Sequence, residues 1–179
     1  MVLRKETSKM IKKIIIVILA LATIYFIGDT NLKGNSVYYA KHSSSSNTRD
    51  LEIMMLVENI QKSADREGFS YRLDGDKTIK NTTKNVYLLS RYSVNDVNYE
   101  YVYISNERQY YYFDENFKLK KVVDFGNNMQ YIDISTVDEN KLKEEIYENF
   151  KPILEELENN EPDINLQWIF NRVYRDRIK

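Results

Sequence analysis

Fourteen consecutive uncharged residues, IIIVILALATIYFI from Ile14 to Ile27, follow directly on Lys12 and Lys13. The apolar side chains recur all round a helix built from this run, not along one stripe, which suits hydrocarbon better than the surface of a protein core. Adding Met10 and Ile11 extends the membrane segment to residues 10–27. A span usually takes about 20 apolar residues, and terminal lysines can snorkel to the headgroups to complete a shorter one. Arg4, Lys5, Lys9, Lys12 and Lys13 precede the run and Asp29 follows it. That step in charge predicts the N-terminus inside the cell and the remainder outside.

Residues 1–27 are therefore expected to be a signal peptide or membrane anchor, with Lys12, Lys13, Ile14 and Ile27 marking the membrane contact. The implied location is the cell membrane with the domain on its extracellular face, or secretion if the segment is cut. Small residues suited to cleavage are poorly placed: Ala20 and Ala22 lie inside the run, and Gly34 and Ser36 lie well beyond it. An uncleaved anchor is the preferred reading. Residues 28–48, with four serines in a row from Ser43, read as a flexible linker, and residues 49–179 as a single extracytoplasmic domain.

Five of the 26 basic residues but one of the 27 acidic ones fall in residues 1–28, so the rest of the chain is net −5. An acidic domain argues against nucleic acid or anionic lipid as its main partner, because both need a cationic patch. Cysteine is absent, which excludes disulfides and a lipidated cysteine. The one histidine, His42, lies in the expected linker, and the five glycines form no phosphate-binding loop. Asp74-Gly75-Asp76 reads as a turn, because Asp-Gly is a turn signal and the calcium-loop spacing is missing. No constellation for nucleophilic, metal or cofactor chemistry stands out, and the chain is expected to be neither an enzyme nor a cofactor carrier.

The domain reads as α+β. A first helix is expected over 48–67, capped by Thr48 or Asp50 and ended by Gly68, with Ile53, Leu56, Val57, Ile60 and Ala64 on one face. Alternating runs at 69–73, 85–94, 97–105, 108–114, 117–125 and 129–134 predict an antiparallel meander of about five to six strands. Asn95-Asp96, Asn106-Glu107 and Glu115-Asn116 supply its tight turns, and residues 74–84 a longer polar loop. Two closing helices follow. One is capped at Ser135 or Thr136 and carries Leu142, Ile146, Phe150, Ile153 and Leu157, with a kink or break at Pro152; the other carries Leu166, Ile169, Phe170, Val173 and Tyr174.

Nine of the fifteen tyrosines lie between Tyr87 and Tyr131. Tyrosine favours strands in its own right, so enrichment needs no partner. It also supplies rigid contact area where binding energy concentrates. Alternation puts Tyr99, Tyr101 and Tyr103 on one face of their strand, opposite Val102 and Ile104, and separates Tyr110 and Tyr112 from Tyr111 and Phe113. With an aliphatic face under the helices, Tyr99, Tyr101, Tyr103, Tyr110, Tyr112 and Tyr131 become the expected partner-binding set.

The run Asn165-Leu166-Gln167-Trp168-Ile169-Phe170-Asn171-Arg172-Val173-Tyr174 resembles the closing segment of TipC-type immunity proteins, and Tyr110-Tyr111-Tyr112-Phe113-Asp114 leading into Phe117-Lys118-Leu119-Lys120 resembles their strand region. The order of membrane segment, helix, meander and terminal helices is similar too. The resemblance implies a surface-anchored protein that binds an LXG toxin exported by type VII secretion, a lipid II phosphatase, and blocks its active site. A module binding a small ligand or the cell wall is the alternative; it requires a closed pocket between sheet and helices.

Overall fold

The computed structural model describes residues 2–59, 66–72, 75–91 and 101–178. Helix α1 (Val2–Gly34) leads into α2 (Ser36–Lys41) and α3 (Thr48–Asn59). Among the described residues seven strands follow: β1 (Phe69–Arg72), β2 (Lys77–Asn81), β3 (Val86–Ser90), β4 (Tyr101–Ile104), β5 (Gln109–Phe113), β6 (Leu119–Asp124) and β7 (Gln130–Ile132). Helices α4 (Glu139–Glu158), α5 (Gln167–Val173) and α6 (Arg175–Ile178) close the chain. The strands lie in sequence order and every neighbouring pair is antiparallel, an open meander in an α+β fold.

The strand missing from the sequence reading is β2. Lys-Thr-Ile-Lys-Asn has one strong apolar residue, so the stretch looks like polar loop. Ile79 is its one apolar residue in the core, paired across the sheet with Tyr71 and Leu88, and Asn81 is buried on the same face. Gly75, at φ +82°, takes the left-handed turn conformation between β1 and β2, and Asp76 is held by Arg91 at 3.3 Å. The hairpins at 105–108 and 114–117 each run one residue longer than expected. Arg108 and Phe117 adopt positive φ (63° and 57°) after a turn closed by Arg108 N–H to Ser105 C=O and Phe117 N–H to Asp114 C=O. The turn expected at Asn95-Asp96 lies outside the described residues, as do Ile60 and Ala64 of the first helix.

The expected linker is not a linker. Helix α1 runs on through Gly34, and α2 places Val37, Tyr39 and Ala40 in the core, leaving only residues 42–47 without regular structure between α2 and α3. The serines, asparagines and lysines around it mask this short apolar cluster in sequence. The Tyr39 hydroxyl lies 2.7 Å from Asn31 Oδ1 and 3.0 Å from the Ile164 carbonyl, and it accepts the Leu166 N–H, joining α1, α2 and the entry to α5. His42 stays exposed, stacked on Tyr38.

Helix α3 is buried nearly all round, from Asp50 to Val57, so it forms the middle of the helical layer and not an amphipathic lid. Asn47 caps it, its Oδ1 accepting the Asp50 N–H. Asp138 caps α4 in place of Ser135 or Thr136, which belong to a 3-10 turn begun by Asp133. Pro152 leaves α4 unbroken. Its ring removes the N–H that would bond the Glu148 carbonyl, and Lys84 Nζ supplies a donor to that oxygen at 3.4 Å. The last amphipathic segment splits at Tyr174 into two short helices.

Candidate docking face of the sheet

Cross-strand register divides the sheet into two faces. Phe69, Tyr71, Ile79, Leu88, Tyr101, Tyr103, Tyr111, Phe113 and Val122 share the face beneath the helices. Tyr101 and Tyr103 are both at 0% exposure, so neither belongs to a partner-binding surface. The alternation along β4 is as expected but its sides are reversed: the tyrosines point to the core and Val102 and Ile104 point away. The reason is reach. A tyrosine spans the thickness of the apolar layer and delivers its hydroxyl to polar groups on the helices. Tyr101 O–H bonds Glu58, which also receives Arg177 from α6. Tyr103 O–H donates to Glu145 at 2.9 Å and accepts from Asn149 Nδ2 at 2.7 Å. Asn149 in turn accepts Lys84 Nζ at 2.9 Å through Oδ1, and its carbonyl takes the Asn81 amide at 2.7 Å, so α4 is bolted to the β2–β3 hairpin. Burial, first of all, and then Glu145 push the Tyr103 hydroxyl well above the ordinary tyrosine range, so it remains a donor at any ordinary pH.

Lys80, Tyr87, Leu89, Val102, Ile104, Tyr110, Tyr112, Lys121, Val123 and Tyr131 share the opposite face. Here the sequence placed Tyr110, Tyr112 and Tyr131 on the right side. Tyr110 and Tyr112 are half-buried against one another, Tyr110 packs on Phe125 at 4.4 Å, and Tyr131 is 74% exposed. Lysines interleave with the rings: Lys121 Nζ sits 4.8 Å from the Tyr131 centroid and 5.5 Å from that of Tyr112, and Lys80 sits 4.7 Å from that of Tyr87. At the end of this face the β6–β7 turn exposes Met129, which has a positive φ. Tyr99, the remaining member of the expected set, lies outside the described residues.

Lys121, Lys80, Tyr87 and Met129 are the members that sequence reasoning missed. A β-bulge hid Lys121. The register shifts between Tyr112 and Phe113, so Phe113 faces Leu119 while Tyr112 faces Lys121, and Lys120 is the extra residue. Strict alternation along 117–125, which would set Val123 with Phe117 and Leu119, therefore fails here: Val122 faces the core and Val123 the opposite side. Lys120 instead reaches Asp114 at 2.9 Å. Burial acts to raise the Asp114 carboxyl, but Lys120 and the backbone N–H groups of Lys118 and Asn116 outweigh it and hold the acid below the usual range.

The space between sheet and helices is filled by Tyr101, Tyr103, Phe113, Phe117 and Phe150, with Phe113 and Phe117 stacked at 4.5 Å. The most perturbed carboxyl in the helical layer is Glu52, at 0% exposure with Lys41 at 3.9 Å; burial and then the neighbouring Glu158 push it up to about 8.

At the N-terminal end, Lys12, Lys13, Ile14 and Ile27 lie exposed along α1, which between Met10 and Gly34 is long and apolar enough to cross a membrane or to act as a signal sequence. Comparison of the chain with protein-family models, curated proteins and solved structures finds no match.

Proposed function

We propose that this chain is a membrane-anchored immunity protein, which holds the open face of its sheet outside the cell, binds an exported antibacterial LXG toxin there and occludes its active site. The toxin in this reading is a lipid II phosphatase, as the resemblance to TipC-type proteins implies. The observation that carries the proposal is the row of Tyr112, Lys121 and Tyr131 across β5, β6 and β7, open to solvent at Tyr131. Tyrosine rings are among the residues that concentrate binding energy in protein interfaces, and the lysines set against them add fixed positive charge. Inhibition by coverage asks only for shape and chemical complementarity, so it needs no reacting group from this chain.

The test is capture of the exported toxin encoded beside this gene, using Tyr112→Glu and Tyr131→Glu. Both variants are expected to keep the wild-type melting temperature and lose the toxin. Undiminished capture by the double variant would remove this face from the proposal. Tyr101→Glu is no probe of binding, because it would bury a charge in the core.

A further inference from the structure

Helix α5 stands beside the apolar helix, and the two share a groove of about 740 Å³. Its walls are Ile24, Tyr25, Ile27 and Leu32 from α1, and Ile164, Leu166, Ile169 and Val173 from the C-terminal segment. The C-terminal wall therefore reaches the level of the last turn of the uncharged run, not merely the polar turn above it. Ile164 and Val173, on the wall of this groove, are 52 and 62% exposed, and Trp168, on the adjoining flank of α5, is 67% exposed, apolar area that the protein core leaves uncovered.

Two physical facts say what covers it. The uncharged stretch from Ile14 to Gly28 is fifteen residues, roughly 22 Å of helix at 1.5 Å per residue. The hydrocarbon layer is about 30 Å thick, so a short span draws its flanks toward the bilayer or thins the bilayer toward them. A surface fixed beside Ile24 and Ile27 is then carried to the headgroup boundary, where tryptophan partitions best. We infer that Ile164, Ile169 and Val173, with Trp168 on the adjoining flank of α5, dock on the lipid bilayer beside the span, as a second, non-covalent foot of the domain. The inference rests on α1 spanning a bilayer and not on the identity of any toxin. The patch is apolar more than charged: Asp163 and Asp176 accompany Arg172 and Arg175, all exposed. Docking is therefore expected on neutral and anionic lipid alike.

Trp168 is the sole tryptophan and so reports on its own surroundings. The full chain, reconstituted into phosphatidylcholine vesicles and separately into phosphatidylcholine–phosphatidylglycerol vesicles, is compared with the same chain in vesicles whose acyl chains are brominated near the headgroup. The expected result is blue-shifted emission in both compositions, quenched by the bromolipid, and returned toward the water-exposed wavelength by Ile164→Glu with Val173→Glu. Emission at the water-exposed wavelength, unquenched in chains that resist alkaline extraction, would overturn the docked foot while leaving the anchor standing. Chains stripped from the vesicles by alkali would overturn the anchor and the foot together. A shift confined to the anionic vesicles would overturn apolar docking.

Discussion

The two faces of the sheet are built from the same side chain and do opposite things with it. Under the helices, Tyr101 and Tyr103 are sealed, and their hydroxyls reach acids 43 and 42 positions away in sequence, so they act as struts between layers. On the open face, Tyr110 and Tyr112 lean on each other and Tyr131 stands in solvent with Lys121 beside it. Tyrosine density in strands is therefore not in itself a binding signal. What separates strut from contact is whether a helix residue waits for the hydroxyl.

The comparison can be broken where it is deepest. Phe117 is fully buried, stacked on Phe113 and edge-on to Tyr101, in spite of its positive φ. Phe117→Ala should cost about 3–5 kcal/mol in chemical denaturation, and a loss within the range of surface substitutions would mean the sealed face is not the core. Next in size is Tyr103→Phe, which keeps the ring and leaves the buried Asn149 amide without its acceptor. We expect a loss of about 1–3 kcal/mol by the same measurement.

Glu52 sharpens the picture of the helical layer through pH. Its folded carboxyl is raised above the unfolded one, so the folded state holds its proton more tightly. Its stabilising contribution is full below the unfolded value of 4.5 and is lost as pH rises toward about 8. Glu52→Gln should accordingly gain about 1–2 kcal/mol near pH 8 and change little near pH 4, read from denaturation at both. The smallest effect belongs to the open face. Tyr131→Ala loses an exposed ring and its cation contact, which should cost under about 1 kcal/mol in thermal unfolding. A large loss there would make Tyr131 a strut as well.

The sequence carried the architecture where local chemistry is strong. Meander order, the turns at 105–108 and 114–117, the stripe of α4 and the apolar N-terminal helix were all legible, because alternation, turn residues and helical periodicity act over a few neighbours. Besides the buried helix α2, read as linker, three things were not legible, each for a long-range reason. β2 is a strand because Tyr71 and Leu88 flank Ile79, and neither neighbour is adjacent in the chain. The side to which β4 turns depends on Glu58, Glu145 and Asn149 waiting on other elements. The bulge after Leu119 moves Lys121 onto the open face without any glycine to announce it. Of the candidate site, the three outer tyrosines could be read and the interleaved lysines could not.

The direct passage from α1 through Asn35 into α2 bears on where the N-terminal segment could be cut. A processing peptidase needs several residues of extended, accessible backbone. The peptide bonds around Gly34 instead lie at a helix junction whose neighbours Asn31 and Leu32 are engaged with Tyr39 and the core. Once those contacts form, cutting there requires local unfolding, so maturation and folding compete in time. Cleavage at that junction would have to precede folding.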